Sequence, residues 1–309
     1  MKAITLTQYG TGDDLELTEQ PRPKVAPGEV LIRVKAAGVN PVDWKLAGGA
    51  LDSLMETRFP LIPGWDVAGV VEQVGFDVSE FTEGDEVFGY IRKDTAQLGA
   101  YAEEVSAHVR MLAPKPASLS WEEAAGMPLA GLTALQCLDR VGVRDGWTVL
   151  VHAAAGGVGV LGAQLAVARG ARVIGTAGEH NHEFLRGLGI EPVTYGEGLA
   201  ERVAALAPEG IDAALDFVGG EAVEVSLGLL DDPRRLASIV DPAVAAHGGH
   251  YVWVRPDSAQ LSELGRLAGE GRLTVPVARV LPLADAAEAW RLSREGRTRG
   301  KLVLSVGTG

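Results

Sequence analysis

The sequence predicts an α/β chain: a mostly β segment with irregular loops first, then a parallel, doubly wound sheet with helices on both faces. Three observations predict it. Short β-like runs broken by Gly and Pro fill the first third, apolar strands then alternate with helical stretches, and one strand runs into a glycine-rich turn that opens a helix.

In the first third, Val30 to Ala36, Val67 to Val74 and Glu86 to Tyr90 read as strands. Pro21, Pro23, Pro27-Gly28, Pro41, Pro63-Gly64 and Gly84-Asp85 punctuate them. The texture changes after Pro114 and Pro116. Ser120 followed by Glu123 is a capping pattern, in which a side-chain oxygen takes an orphan N–H of the first turn and the acid reaches back. Beyond it, strands are predicted at 147–152, 172–176, 213–217, 235–240 and 251–254, and helices at 157–169, 181–188, 222–230 and 258–270. The last segment reads strand 277–280, helix 284–293, strand 302–306.

The chemistry-bearing signal is Val149-Leu150-Val151-His152-Ala153-Ala154-Ala155-Gly156-Gly157-Val158-Gly159. A pyrophosphate at such a turn needs close backbone approach, free N–H groups and the positive end of a helix dipole. Gly156 and Gly157 permit the approach, and Gly159 lets the helix lie tightly on the strand. The first glycine of G-x-G-x-x-G is replaced by Ala154, so the pattern is a variant; a ligand-free glycine turn is the competing reading. The next strand ends Ile174-Gly175-Thr176-Ala177-Gly178, with no acid before Glu179. A carboxylate there would bond a ribose 2′-hydroxyl, and its absence removes repulsion toward a 2′-phosphate. The expected cofactor is therefore NADP(H), with Thr176, Gly178, His180 and Arg186 available to the phosphate; the other reading of His180 is a solvated loop residue.

Composition excludes other classes. Lys and Arg total 28 against 41 Asp and Glu, a net charge of −13, so nucleic acid and anionic membrane surfaces are not expected partners. The single cysteine, Cys137, cannot form an internal disulfide, and the stretch Met1–Gln8 is too short for a signal peptide; a cytoplasmic location is expected. There is no G-x-S-x-G, no P-loop, no H-E-x-x-H and no Tyr with Lys four residues on. His247-Gly248-Gly249-His250 lacks a third ligand nearby, and no metal is expected.

With these residues in place the chain resembles the zinc-free quinone oxidoreductase branch of the medium-chain dehydrogenase/reductase superfamily over nearly its full length. The resemblance rests on Ala36 to Lys45 (AAGVNPVDWK), Pro60 to Val71 (PLIPGWDVAGVV), Glu83 to Val87, Gly99 to Glu103, Leu129 to Ala134, Ala154 to Gly159 and Gly300 to Leu304. It implies a GroES-like β domain at 1–118 and 272–309 and a Rossmann domain at 119–271. Zinc alcohol dehydrogenases carry Cys and His where this chain has Asn40 and Trp65, and neither replacement is a good zinc ligand. The implied activity is NADPH-dependent, zinc-independent hydride transfer to a quinone or an α,β-unsaturated carbonyl, whose developing charge hydrogen-bond donors can hold. Alternatives are an enoyl reductase of a polyketide-type pathway and a non-catalytic, zeta-crystallin-like NADPH-binding protein.

The resemblance implies catalytic roles for Asn40, Lys45 and Trp65. Lys45 either stabilises an enolate or sits in solvent, and Trp65 either shapes the pocket or packs in the core. Asp43 and Asp66 look structural. Implied cofactor contacts are Asn40, Thr133, Gly156, Gly157, Val158, Thr176, Gly178, His180, Tyr195, Val218, Val252, Trp253 and Lys301. For Thr133 the other reading is a hydroxyl bonded back into its own helix, and for Trp253 core packing. A homodimer is expected.

Overall fold

A computed structural model describes residues 1–307. From the N-terminus come β1 (Lys2–Thr5), β2 (Glu16–Glu19), β3 (Glu29–Val39), α1 (Pro41–Ala47), β4 (Glu56–Ile62), β5 (Asp66–Val74) and β6 (Glu86–Tyr90). Then follow β7 (Thr95–Leu98), β8 (Glu104–His108), β9 (Leu112–Pro114), α2 (Trp121–Gly126), α3 (Pro128–Val141), β10 (Thr148–Val151), α4 (Gly159–Ala168) and β11 (Arg172–Thr176). Next are α5 (His182–Gly187), β12 (Glu191–Val193), α6 (Leu199–Leu206), β13 (Ala213–Asp216), α7 (Glu221–Leu229), β14 (Leu236–Ser238) and β15 (His250–Tyr251). The chain closes with α8 (Ser258–Gly269), β16 (Val277–Pro282), α9 (Ala286–Glu295) and β17 (Lys301–Ser305). Among the described residues no helix is long and apolar enough to cross a membrane.

The chain divides into two compact units. The first comprises Met1–Leu129, Pro256–Gly271 and Val275–Gly309. Its main sheet runs β16-β17-β3-β5-β6-β9, with β8 also pairing β3. Strand β3 is the spine, antiparallel to β17, β5 and β8, and its Val30, Leu31, Ile32, Val34, Ala36 and Ala37 are fully buried. Helix α2 starts as the sequence predicts: Glu123 N–H donates to Ser120 Oγ (3.1 Å) and Ser120 N–H to Glu123 Oε2 (2.9 Å). These compact units are drawn differently from the domains expected at 1–118 with 272–309 and at 119–271. Residues 119–129 belong to the first unit, and so does helix α8, which passes so near Pro116 and Phe88 that a Cβ on Gly265 would lie 3.2 and 3.4 Å from them.

The second unit, Ala130–Arg255 with Arg272–Thr274, is a six-stranded sheet of order β12-β11-β10-β13-β14-β15. Every adjacent pair is parallel. This is the doubly wound order, with its reversal between β10 and β13. Leu150, Ile174, Val203, Ala214 and Leu236 lie in its core. Helix α4 is buried along Gly159–Ala166, as expected for a helix without a polar face. Strand β12 and helix α6 are additions to the sequence prediction, and the strand predicted at 251–254 is confined to His250–Tyr251.

His152, at the end of β10, is 1% exposed, and its Nε2 lies 2.9 Å from Ser226 Oγ. Burial pushes the imidazole down to about 4. A folded-state value below the unfolded 6.5 means that the unfolded chain binds the extra proton first, so stability falls as pH drops from about 6.5 through about 4. His152→Gln is expected to flatten this acid loss, which amounts to at most about 3 kcal/mol, in thermal unfolding followed from pH 7.5 to 4.

Candidate cofactor and catalytic site

In the second unit the residues expected at the cofactor gather on one edge. All six strands are parallel, so Gly156–Val158, Thr176–His180, Tyr195, Val218 and Val252–Trp253 follow the C-terminal ends of β10, β11, β12, β13 and β15. That edge is where doubly wound sheets take their ligands.

The turn after β10 is tied down residue by residue. Ala153 N–H donates to Thr176 Oγ1 (3.0 Å) and Ala154 N–H to Thr176 O (2.9 Å). Ala153 sits at φ 53°, the left-handed region, and Gly156 N–H closes back onto its carbonyl (2.9 Å). Helix α4 then opens. A Cβ on Gly159 would lie 2.1 Å from Ala153 O, so no side chain fits there. The hydrogen bonds of this turn, among the described residues, leave the N–H groups of Gly157 and Val158 unused. Unused donors at the positive end of a ten-residue helix fit a pyrophosphate.

Around this turn, Thr176 is 2% exposed and its hydroxyl serves the loop. His180 is exposed, its Nε2 3.1 Å from Asn181 Nδ2. Tyr195 is 63% exposed, and its carbonyl is one of four that Arg202 holds in the loop 194–197. Thr133 is buried on α3. Val218 is exposed, whereas Val252 is buried and its N–H donates to Ser238 O (2.9 Å). Trp253 is half-exposed.

Sequence reasoning missed Asp216. It is fully buried; Oδ1 accepts from the N–H groups of Val218 (2.9 Å) and Gly219 (2.8 Å), and Oδ2 accepts from Ser238 Oγ (2.7 Å). An acid ending an apolar strand before Val218-Gly219-Gly220 is the turn signal that was available.

In the first unit the structure brings Asn40 and Lys301 together, with partners that no spacing revealed. Lys301, the first residue of β17, is 4% exposed; its Nζ donates to Asn40 Oδ1 in a short contact and to Val39 O (3.2 Å). Asn40 Nδ2 donates to Asp66 Oδ2 (2.9 Å), and Asp66 Oδ1 accepts from Leu129 N–H (2.7 Å). Asp43 Oδ2 accepts from Asn40 N–H (2.8 Å) and Tyr101 OH (2.8 Å), and Trp290 Nε1–H reaches Tyr101 (3.3 Å). Asp43 Oδ1 has no partner among the described residues. The packing is tight: a Cβ on Gly64, which has φ 89°, would lie 2.2 Å from the Tyr101 ring. Asp43 and Asp66 each accept from a backbone N–H, and they are also the carboxyl groups whose charge acts on the buried Lys301 ammonium.

Burial sets the electrostatics here. It pushes Asp43 up to about 7 and Asp66 to about 6, with Lys301 pulling both back. It pushes Lys301 down against the attraction of the two carboxylates.

Lys45 stands apart, exposed, with its ammonium 5.6 Å from the Trp44 ring centre. Trp65 is 5% exposed and meets Tyr90 edge-on at 6.2 Å. Among the described residues no group of three or more His, Cys, Asp or Glu side chains is placed to hold a metal ion.

The strand order and the glycine turn define the dinucleotide-binding class of doubly wound units. Comparison with known proteins agrees and goes further. Residues 26–117 match the alcohol dehydrogenase GroES-like domain family and residues 188–304 the zinc-binding dehydrogenase family. The chain is 31% identical to a chloroplast envelope quinone oxidoreductase homolog of Arabidopsis thaliana, covering 98% of each. It is 32% identical to a 2-methylene-furan-3-one reductase of Solanum lycopersicum, covering 98% of this chain and 79% of the relative. Among solved structures, a mycobacterial protein complexed with NADPH is 31% identical with a TM-score of 0.84, over 99% of this chain and all of that one. The chain belongs to the medium-chain dehydrogenase/reductase superfamily, among its quinone oxidoreductase-like oxidoreductases. Its units have the GroES-like and Rossmann folds that the resemblance implied.

Two outcomes are expected. Gly159→Ala forces the turn off Ala153 O; it should cost about 2–3 kcal/mol of stability and weaken dinucleotide binding, read by thermal unfolding and fluorescence titration. Asp43 carries a folded-state value above its unfolded one, so its stabilising effect is full below about 3.8 and is lost as pH rises through about 7. Asp43→Asn should therefore retain more of its acid-side stability at pH 8 than the unchanged protein does.

Proposed function

We propose that the chain catalyses NADPH-dependent, zinc-independent hydride transfer to a quinone or an α,β-unsaturated carbonyl. The observation that carries this reading is Asn40, a neutral carboxamide held between Lys301 and Asp66 where zinc relatives place a thiolate ligand. Trp65, at the second zinc-ligand position, offers no lone pair to a metal. The relatives' names, quinone oxidoreductase homolog and furanone reductase, support the same acceptor classes.

In this reading the N–H groups of Gly157 and Val158 hold the pyrophosphate. The 2′-phosphate lies by Gly178, His180 and Arg186, where no carboxylate ends β11. The solved NADPH complex of a relative supports that choice of dinucleotide. Thr133, Tyr195, Val218, Val252 and Trp253 line the rest of the cofactor's path. When bound, the cofactor supplies the hydride. An acceptor carbon conjugated to a carbonyl passes the developing charge to its oxygen, and Asn40 has one side-chain N–H to spare for it, since only the other is spent on Asp66. Trp65 bounds the acceptor with an apolar wall, and Lys45 serves as a solvated surface residue. The sheet edge at β15, with Tyr251 and Trp253 exposed, suits pairing with a second copy as a homodimer.

The test follows NADPH absorbance with 1,4-benzoquinone, 9,10-phenanthrenequinone and an alkenal, with and without chelator and with NADH in parallel. Turnover at least about tenfold faster with NADPH and unchanged by chelator is expected. Loss on chelation, or NADPH binding without turnover of any acceptor, would overturn the reading.

A further inference from the structure

The Asn40 carboxamide is gripped at both ends by charge. Its oxygen takes the Lys301 ammonium and its nitrogen donates to Asp66 Oδ2 at 2.9 Å, at a site where Asn40, Asp66 and Lys301 are 2%, 0% and 4% exposed. A carboxamide is otherwise indifferent to a half-turn about its last bond. Here the flipped form would set NH₂ against an ammonium and C=O against a carboxylate, both away from water, where such contacts are least screened. Lys301 is itself fixed. Its stem lies beside Gly126, where a Cβ would come within 3.4 Å of it, and Val39 O holds Nζ at 3.2 Å.

We propose that Lys301 is the positioning residue for Asn40: by holding the carboxamide oxygen it keeps the NH₂ end on Asp66 and presents the second N–H in one orientation. The inference rests on the functional reading above only for the use made of that N–H. It moves Lys301 from the cofactor contacts to the support of the group that meets the substrate. Without the ammonium, Asp66 loses its cation and becomes easier to protonate. A protonated Asp66 donates as well as accepts, and the carboxamide then has two compatible orientations.

Asn40 and Asn181 are the chain's two asparagines, so selective ¹⁵N-asparagine labelling gives two side-chain NH₂ pairs, which Asn181→Ser assigns. In the unchanged protein the Asn40 pair should exchange with water at least about 100-fold more slowly than the Asn181 pair. Lys301→Met should speed Asn40 exchange at least about tenfold and lower kcat at least about tenfold, with NADPH affinity within about twofold of the original. Three results would overturn the proposal: rapid Asn40 exchange in the unchanged protein, an Asn40 signal unmoved by Lys301→Met, or weakened NADPH affinity with kcat intact, which would return Lys301 to the cofactor. The first needs no variant and decides the matter if Lys301→Met does not fold. If the unchanged protein reduces no acceptor, the functional reading fails while the exchange measurements still judge the clamp.

Discussion

One ammonium in the interior of the first unit carries more of the structure than its size suggests. Lys301 is the cation beside two fully buried carboxylates, Asp43 and Asp66, and it opens the strand β17 that pairs with β3. Removing one partner from such a set leaves an uncompensated charge in a medium that screens poorly, a cost well beyond that of an exposed ion pair. The aspartates in turn fix the start of helix α1 through Asn40 N–H and the start of α3 through Leu129 N–H. Tyr101 and Trp290 extend the chain of bonds to helix α9. Segments distant in sequence are thus held by one set of donors and acceptors.

The second unit uses a different device. Three of its strands, β11, β13 and β14, end in buried polar residues whose side chains hold nearby loops. Thr176 serves the turn after the neighbouring strand, Asp216 folds the Val218–Gly220 turn, and Ser238 accepts the N–H groups of Val240 and Asp241. Arg202 does the same from a helix for the loop after β12. This edge of the sheet therefore carries short loops held by side chains, and on the proposed reading the unused N–H groups of Gly157 and Val158 need little reordering to meet a ligand.

Most of the fold was legible because it follows period and punctuation. Strand β6 and strand β11 fall on the predicted residues, and the Ser120–Glu123 cap forms as written. What escaped has physical reasons. Strand β12 reads Glu191-Pro192-Val193, with one buried residue and a proline at a sheet edge, so it carries no apolar run. Helix α6 commits only Leu199 and Val203 to the core and follows a left-handed Gly198. The run Tyr251–Val254 looks like a strand, but Arg255 exchanges hydrogen bonds with Gln136 and draws the backbone off the ladder. In the site, the glycine turn was readable because its chemistry is local. The cluster of Asn40, Asp43, Asp66, Tyr101, Trp290 and Lys301 was not, since it assembles six residues from five segments and only the Asn40–Asp43 pair, at N-cap and N3 of α1, is joined by spacing.

The double use of Thr176 has a consequence for how such a protein can change its coenzyme. Its hydroxyl and carbonyl hold the turn after β10, so on the proposed reading the residue at the strand end is not free to vary with the ribose. The next four positions, Ala177 to His180, emerge progressively from the core to the surface. On the proposed reading, drift or design can therefore alter the ribose end of the site at Gly178, His180 and Arg186 while the turn held by Thr176 stays intact.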